Sequence, residues 1–77
     1  GGALVGSDGQ HVGTVDKVKG DRIKLARNDP DANGRHHYVP CSWIQSVEMN
    51  SVKLNRTADQ AQQSWQTEET VYESSAF

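Results

Sequence analysis

The sequence predicts an all-β fold: a small six-stranded antiparallel β-barrel followed by a short C-terminal helix. Turn signals recur at short intervals up to Asn55, and the short segments between them are rich in valine, isoleucine and leucine. Beyond Asn55 the composition shifts to Ala, Gln, Ser and Glu. A chain of 77 residues makes one domain at most. We divide it into a β domain over 1–56, a helix over 57–65 and a disordered acidic tail over 66–77.

Four turn signals separate the predicted strands, and each contains residues that tolerate a positive φ or bond to their own backbone. They are Ser7-Asp8-Gly9, Gly20-Asp21, Asn33-Gly34 and Asn50-Ser51. Gly20-Asp21 fits a two-residue turn between antiparallel strands, with glycine in the first position. The segments Arg22 to Leu25 and Val52 to Leu54 alternate in polarity, which predicts strands with one buried face.

The segment from Val12 to Val18 is less regular, because its valines fall three residues apart. We predict a strand, since Gly13 and four β-branched residues disfavour a helix. A bulge near Gly13 would place Val12 and Val15 on the same side of this strand.

The middle of the chain is predicted as a loop, a strand, a turn and a further strand. Asn28 to Gly34 carries two loop signals, Asp29-Pro30 and Asn33-Gly34. His36 to Val39 is the next strand, and Pro40 ends it. Cys41 to Trp43 forms a tight turn before the strand from Ile44 to Met49.

The C-terminal part begins with a capping box, in which Thr57 is the N-cap and Gln60 occupies the third helical position. Ala58, Ala61 and Trp65 follow at helical spacing, so we predict a helix over 58–65 that docks Trp65 on the barrel. From Gln66 onward the chain is polar and acidic, which is typical of disorder.

Composition limits the function classes. Cys41 is the only cysteine, which excludes an internal disulfide and favours a reducing, cytoplasmic location. No apolar run approaches the ~20 residues of a membrane span, and no signal-peptide pattern is present. The chain opens on Gly1-Gly2 without a methionine, so we expect a trimmed N-terminus. A domain this small buries only about 60% of its unfolded surface, so self-association would help to stabilise it.

Charge argues against a nucleic-acid binder. All eight Lys and Arg residues lie within residues 1–56, together with six acids, whereas residues 57–77 carry four acids and no basic residue. Nucleic-acid-binding domains usually cluster basic residues and have a high isoelectric point. The basic residues here are scattered singly along the predicted strands, so nucleic acid is an unfavoured partner.

His36, His37, Cys41 and His11 form the single cluster in the sequence that suggests a metal site. Adjacent side chains on a strand point to opposite faces, so His36 and His37 cannot both bind one ion. Cys41 lacks the base and orienting acid of a nucleophile and is interpreted as a small packing residue. We therefore predict no catalytic residue, no metal site and no cofactor.

The candidate binding surface consists of His36, His37, Tyr38 and Trp43. Large aromatic rings in so small a domain are core residues or interface residues. Trp43 is favoured as a core residue, because side chains of its size dominate a small core.

Two stretches, Val5 to Val18 and His36 to Val47, together resemble PRC-barrel domains. The first has a glycine turn followed by Val-Gly-x-Val, and the second has a strand that ends in Val-Pro, turns, and continues into a strand with an apolar face. The likeness is strongest to small uncharacterised bacterial proteins in which Gly-Ser-Asp-Gly and His-His-Tyr-Ile/Val-Pro-x-x-Trp recur. PRC-barrel domains occur in the photosynthetic reaction-centre H subunit and in a ribosome maturation factor. The resemblance implies a six-stranded barrel with a docking role and transfers no catalytic residue.

The leading functional hypothesis is a non-catalytic protein-interaction module whose partner is another protein or a second copy of the chain. The second is a small-ligand or metal-responsive protein that uses His36 and His37. The third is association with RNA or the ribosome, with Arg22, Lys24 and Arg27 along one strand face.

Overall fold

The computed structural model describes residues 2–68, and its main feature is one seven-stranded mixed sheet. Its strands are β1 (Ala3–Val5), β2 (His11–Lys19), β3 (Arg22–Leu25), β4 (His37–Pro40), β5 (Ile44–Glu48), β6 (Ser51–Leu54) and β7 (Gln66–Thr67). Two 3₁₀ turns, Pro30–Ala32 and Cys41–Trp43, precede β4 and β5, and the helix α1 covers Ala58–Ser64. The strand order is β5-β6-β1-β2-β3-β4-β7.

The β-rich fold with one short helix is confirmed, but the closed six-stranded antiparallel barrel is wrong. β6, the second strand of the β5–β6 hairpin, lies beside β1 and runs in the same direction, with Leu4 opposite Val52. The seventh strand, β7, pairs with β4. Within the described residues β5 and β7 each pair on one side alone, so the sheet curls without closing.

The strand over Val12 to Val18 and its bulge are confirmed. The residues of β2 that lie opposite consecutive positions of β1 are Gly13 and His11, so Val12 is the extra residue of a bulge. Val12 is fully buried, and Val15 packs against the same core. A Cβ at Gly13 would lie 3.0 Å from the Leu25 side chain, which explains why glycine occupies this bend. β2 can therefore pair with β1 at its start and with β3 at its end.

The turn signals sit at bends of the chain. Gly20 adopts a φ of 59° between β2 and β3, as predicted for a two-residue turn with glycine first. Asn33 also lies in the left-handed region, with a φ of 56°. The predicted loop that contains it includes the 3₁₀ turn Pro30–Ala32, which the Asp29 side chain caps by accepting from the backbone N–H of Asp31.

The core fills the inner side of the curled sheet and extends to α1. It consists of Leu4, Val12, Ile23, Leu25, Val39, Leu54, Ala58 and Ala61. Trp43, which we predicted as a core residue, is partly buried against this cluster, and so is Cys41. Residues this apolar and this well buried make the hydrophobic effect the main source of stability.

The predicted capping box at α1 is confirmed. The Thr57 hydroxyl accepts from the Gln60 N–H at 3.2 Å, and the Thr57 N–H donates to the Gln60 side chain at 2.9 Å. The helix ends at Ser64, and Trp65 packs against the core from the C-cap position. Disorder from Gln66 onward is wrong for the first residues of the tail, because Gln66 and Thr67 pair with β4. The rest of the predicted disordered tail, 69–77, lies outside the described residues.

Candidate functional site

Strand register brings four basic side chains together on the outer side of the sheet. Val18 of β2 lies opposite Ile23 of β3, and the buried Ile23 fixes the inner side of this hairpin. The residues on either side of that pair therefore point outward. They are Lys17 opposite Lys24, and Lys19 opposite Arg22. We call this group of four residues the basic face.

The same outer side continues across β4 and β7 in two rows. One row contains Lys17, Lys24, Tyr38 and Gln66. The other contains Lys19, Arg22 and Pro40. Tyr38 is the aromatic residue beside the basic face, and it is half-buried.

The basic face places like charges in direct opposition. Directly opposite side chains on antiparallel strands have Cβ atoms about 4.5–5.5 Å apart, and like charges at this distance destabilise the pair. Lys17, Lys19 and Arg22 are exposed, so water and salt reduce the repulsion without removing it. Lys17 and Lys19 have no ion pair or hydrogen bond from their side chains within residues 2–68.

Glu68 supplies the counter-charge within this part of the chain. Its carboxylate accepts from the Tyr38 hydroxyl at 3.1 Å and lies 3.7 Å from the Lys24 ammonium. The hydrogen bond from Tyr38 lowers the pKa of Glu68, and Lys24 adds to that effect. Burial raises the pKa of Tyr38, and the contact with Glu68 raises it further. Glu68 therefore stays ionised and offsets the charge of Lys24.

Arg22 is held above Tyr38 from the other row. Its guanidinium carbon lies 4.9 Å from the centre of the Tyr38 ring, and its Nη1 donates to the Gln66 side chain at 3.1 Å. Cation–π contacts of this kind contribute about 0.5–1 kcal/mol at exposed sites. One face of the Tyr38 ring is thus already occupied by a side chain of the same molecule.

The four residues of the predicted binding surface lie in different environments. His37 points inward and is 5% exposed, whereas Tyr38 lies on the outer side. His36 precedes β4 and its Nδ1 bonds to the carbonyl of Leu25 at 2.8 Å. Trp43 is the last residue of the 3₁₀ turn before β5, with the Arg56 guanidinium carbon 3.9 Å from its ring centre. The structure brings Tyr38 next to the basic face and does not bring these four side chains together.

His37 belongs to an internal cluster with Trp65. The two rings stack with centroids 3.9 Å apart and planes 11° apart. Nε2 of His37 donates to the Ala32 carbonyl at 2.9 Å, because a carbonyl oxygen can only accept, and Nδ1 lies 3.1 Å from the Thr67 hydroxyl oxygen. His37 is buried because β7 and Trp65 cover it.

A cleft of about 460 Å³ opens beside this cluster. Its lining includes Asp31, Arg35, Gln62 and Trp65. The Gln62 side chain donates to Asp31 and to the carbonyl of Val12, both at 3.3 Å. These two hydrogen bonds connect the Gln62 side of the cleft to the 3₁₀ turn and to β2.

His11 and Asp29 form a second polar cluster, at the start of the 3₁₀ turn Pro30–Ala32. Nε2 of His11 lies 2.6 Å from Oδ2 of Asp29, and the Thr14 hydroxyl donates to the same oxygen at 3.1 Å. Burial raises the pKa of Asp29, but the hydrogen bonds from His11, the Asp31 N–H and Thr14 outweigh it, so the net shift is downward. Thr14 contacts Asp29 and not the histidine, which differs from a nucleophile–base–acid arrangement.

Metal-binding residues do not converge among residues 2–68. No group of three or more His, Cys, Asp or Glu side chains there is arranged to hold an ion. His11, His36 and His37 each bond to a separate acceptor, which are Asp29, the Leu25 carbonyl and the Ala32 carbonyl.

Sequence reasoning missed the basic face, although it identified β3 as a strand. Lys17 and Lys19 alternate within β2, and Arg22 and Lys24 alternate within β3. The Gly20-Asp21 turn between them fixes which residues are opposite, so this signal was present in the sequence. Arg27, which we had grouped with Arg22 and Lys24, lies beyond the end of β3 and outside both rows.

The fold defines a small β-rich domain built on one curled mixed sheet. This chain belongs to a family of uncharacterised proteins conserved in bacteria, DUF2171, whose family model matches residues 3–62. No curated protein and no solved structure matches the chain. Within the part that the structure describes, no helix is both long and apolar enough to cross a membrane.

Proposed function

We propose that this protein is a non-catalytic interaction module whose basic face docks an acidic polypeptide segment. The structural observation that carries this proposal is that like charges lie directly opposite each other, Lys17 with Lys24 and Lys19 with Arg22. Such an arrangement costs folding stability. It becomes favourable when a partner supplies carboxylates to it, because opposite charges attract and steer association.

An acidic polypeptide fits this face better than RNA does. Single-stranded RNA is usually bound by aromatic side chains on which bases stack, with basic residues along the backbone. Arg22 already covers one face of the Tyr38 ring, and the Tyr38 hydroxyl is bonded to Glu68. The chain also has a net charge of −2 and a sequence pI near 5.8, whereas nucleic-acid-binding domains usually have a high isoelectric point.

The resemblance to PRC-barrel domains supports a docking role, since docking is what that resemblance implies. It rests on the two sequence stretches Val5 to Val18 and His36 to Val47. The free thiol of Cys41 supports a reducing compartment, and we propose the cytoplasm.

The test is binding of a fluorescein-labelled poly-glutamate peptide, followed by fluorescence anisotropy. We expect saturable binding that weakens by about tenfold between about 50 mM and about 200 mM salt, because screening acts on exposed charges. The variant Lys17→Glu/Lys19→Glu should weaken binding by at least about tenfold, since it turns two of four attractive charges into repulsive ones.

The control variant is Arg27→Glu. It changes the charge of one residue by the same amount as each substitution above, at an exposed basic position outside the basic face. It should leave the affinity within about twofold of the unaltered chain. Equal losses in both variants would show a diffuse charge effect and overturn the proposal. Tighter binding of an oligouridylate of equal length than of poly-glutamate would also overturn it, in favour of RNA.

A further inference from the structure

Strand β5 forms an exposed edge of the sheet. Within residues 2–68 it pairs with β6 and with no other strand. Val47 on this strand is 70% exposed, and Met49 just beyond it is 96% exposed. The opposite edge differs, because β7 is two residues long and offers little to pair with.

The second half of the β5 edge has few of the features by which proteins protect an edge. The sequence of β5, Ile-Gln-Ser-Val-Glu, contains neither lysine nor proline. A register shift lies between Ile44 and Ser46, so Gln45 is bulged and interrupts pairing at the start of the strand. The second half of the strand, from Ser46 to Glu48, is regular, and Glu48 is its one charged residue.

The backbone groups of Val47 point toward this free edge. Glu48 and Ser51 flank a two-residue turn, so this pair exchanges hydrogen bonds across the hairpin. Backbone groups alternate in direction along an antiparallel strand. The N–H and C=O of Val47 are therefore available to another strand.

The two sides of this hairpin carry different chemistry. Val47 lies opposite Val52, which packs against the core, so both valines are on the inner side. Glu48 and Ser46 are on the outer side, and Ser46 lies opposite Lys53. The outer side thus has an acidic residue on the edge strand and a basic residue on the strand behind it.

We propose that the β5 edge pairs antiparallel with β5 of a second copy, with Val47 opposite the second copy's Val47. This register extends one inner row of valines across four strands, from Val52 and Val47 of one copy to Val47 and Val52 of the other. It also sets Glu48 of each copy opposite Ser46 of the other.

Charge complementarity favours this register. Lys53 lies directly behind Ser46, so the second copy's Glu48 is two strand spacings from Lys53, about 9–10 Å between backbones. Long lysine and glutamate side chains span this distance across the small serine. The two-fold symmetry of the pair forms the contact twice. The dimer uses a surface separate from the basic face.

The test is sedimentation velocity over a concentration series, with the unaltered chain and charge-reversal variants. The unaltered chain should show a monomer–dimer equilibrium. Glu48→Lys alone and Lys53→Glu alone should each weaken dimerisation by about tenfold, since each replaces two attractive contacts by repulsive ones. The double variant Glu48→Lys/Lys53→Glu should restore the dimer, because it exchanges the charges within the same contact.

A second pair of variants keeps the result independent of net charge. Val47→Asp should abolish the dimer, because it sets two carboxylates against each other at the symmetry axis. Val18→Asp, at a valine that is 61% exposed on a different hairpin, should leave the dimer intact. A monomer at all concentrations, a dimer that survives Val47→Asp, or a double reversal that fails to restore pairing would each overturn the proposal.

Discussion

His37 and Tyr38 are neighbours on β4, but their side chains lie in opposite kinds of environment. On the inner side His37 stacks on Trp65 and both of its ring nitrogens have partners. On the outer side Tyr38 adjoins the basic face, where Lys17 and Lys19 have no partner among the described residues. β4 therefore lies between two kinds of polar group. The ring nitrogens of His37 on its inner side have partners within the chain, whereas Lys17 and Lys19 on the outer side have none among the described residues.

The difference teaches which polar residues serve the fold and which are available to a partner. A buried polar group that loses its hydrogen bond is expensive, so the His37 cluster is satisfied internally. Exposed lysines incur no such penalty, and their mutual repulsion persists until another molecule neutralises it. We therefore expect inner substitutions to change stability and outer substitutions to change binding.

The largest effect is expected at His37. His37→Ala removes the stack on Trp65 and the hydrogen bond from Nε2 to the Ala32 carbonyl, which keeps the Arg35 N–H as a donor at 3.1 Å. We expect a loss of about 2–3 kcal/mol in the free energy of unfolding, measured by urea denaturation. His36→Ala, which removes one half-buried hydrogen bond, is the control and should cost about 1 kcal/mol or less. Equal losses would contradict the distinction between the two histidines.

Asp29 caps the 3₁₀ turn Pro30–Ala32 and bonds to His11 and Thr14 of β2. Its substitution should have the second-largest effect on stability. Asp29→Asn should cost about 1–2 kcal/mol at neutral pH, because it weakens a cap and a charge-assisted hydrogen bond. The folded pKa of Asp29 lies below its ordinary value of 3.8, so its stabilising contribution is present above that value and is lost as the pH falls through the folded pKa.

Urea denaturation of the unaltered chain and of the Asp29→Asn variant between about pH 2 and about pH 7 checks this sign. The difference in stability between the two proteins should be constant at neutral pH and shrink below about pH 4. A difference that grew toward acid pH would contradict the assignment.

Substitutions in the basic face should raise the stability of the fold, whereas substitutions in the His37 cluster should lower it. Lys17→Gln/Lys19→Gln removes repulsion across β2 and β3, so stability should rise by about 0.5 kcal/mol. The same variant should bind poly-glutamate more weakly. Denaturation and anisotropy on one preparation measure both quantities, and a loss of stability would show that these lysines support the fold instead.

The smallest effect is expected at Glu68. Glu68→Gln frees Lys24 from its counter-charge, so affinity for poly-glutamate should rise by about twofold to threefold. Because Glu68 contributes to the raised pKa of Tyr38, the variant should also lower that pKa toward 10.0, with the part due to burial remaining. Absorbance titration of the tyrosines measures the shift, and an unchanged titration would contradict the contact.

Local features of the chain were predictable from the sequence because their causes lie within a few residues. The left-handed Gly20 marks the β2–β3 turn, and the Thr57–Gln60 capping box marks the start of α1. The bulge at Val12 followed from valine spacing and the adjacent Gly13. Each depends on backbone freedom, on side-chain alternation, or on a hydrogen bond between near neighbours.

The tertiary structure alone decided the arrangement of these elements. The parallel pairing of β1 with β6, the addition of β7 to β4, and the stack of His37 on Trp65 join residues far apart in the chain. Alternation shows that a strand has a buried face, but it does not specify which distant strand lies beside it or in which direction. That choice follows from how the whole chain buries its apolar side chains while pairing its backbone groups.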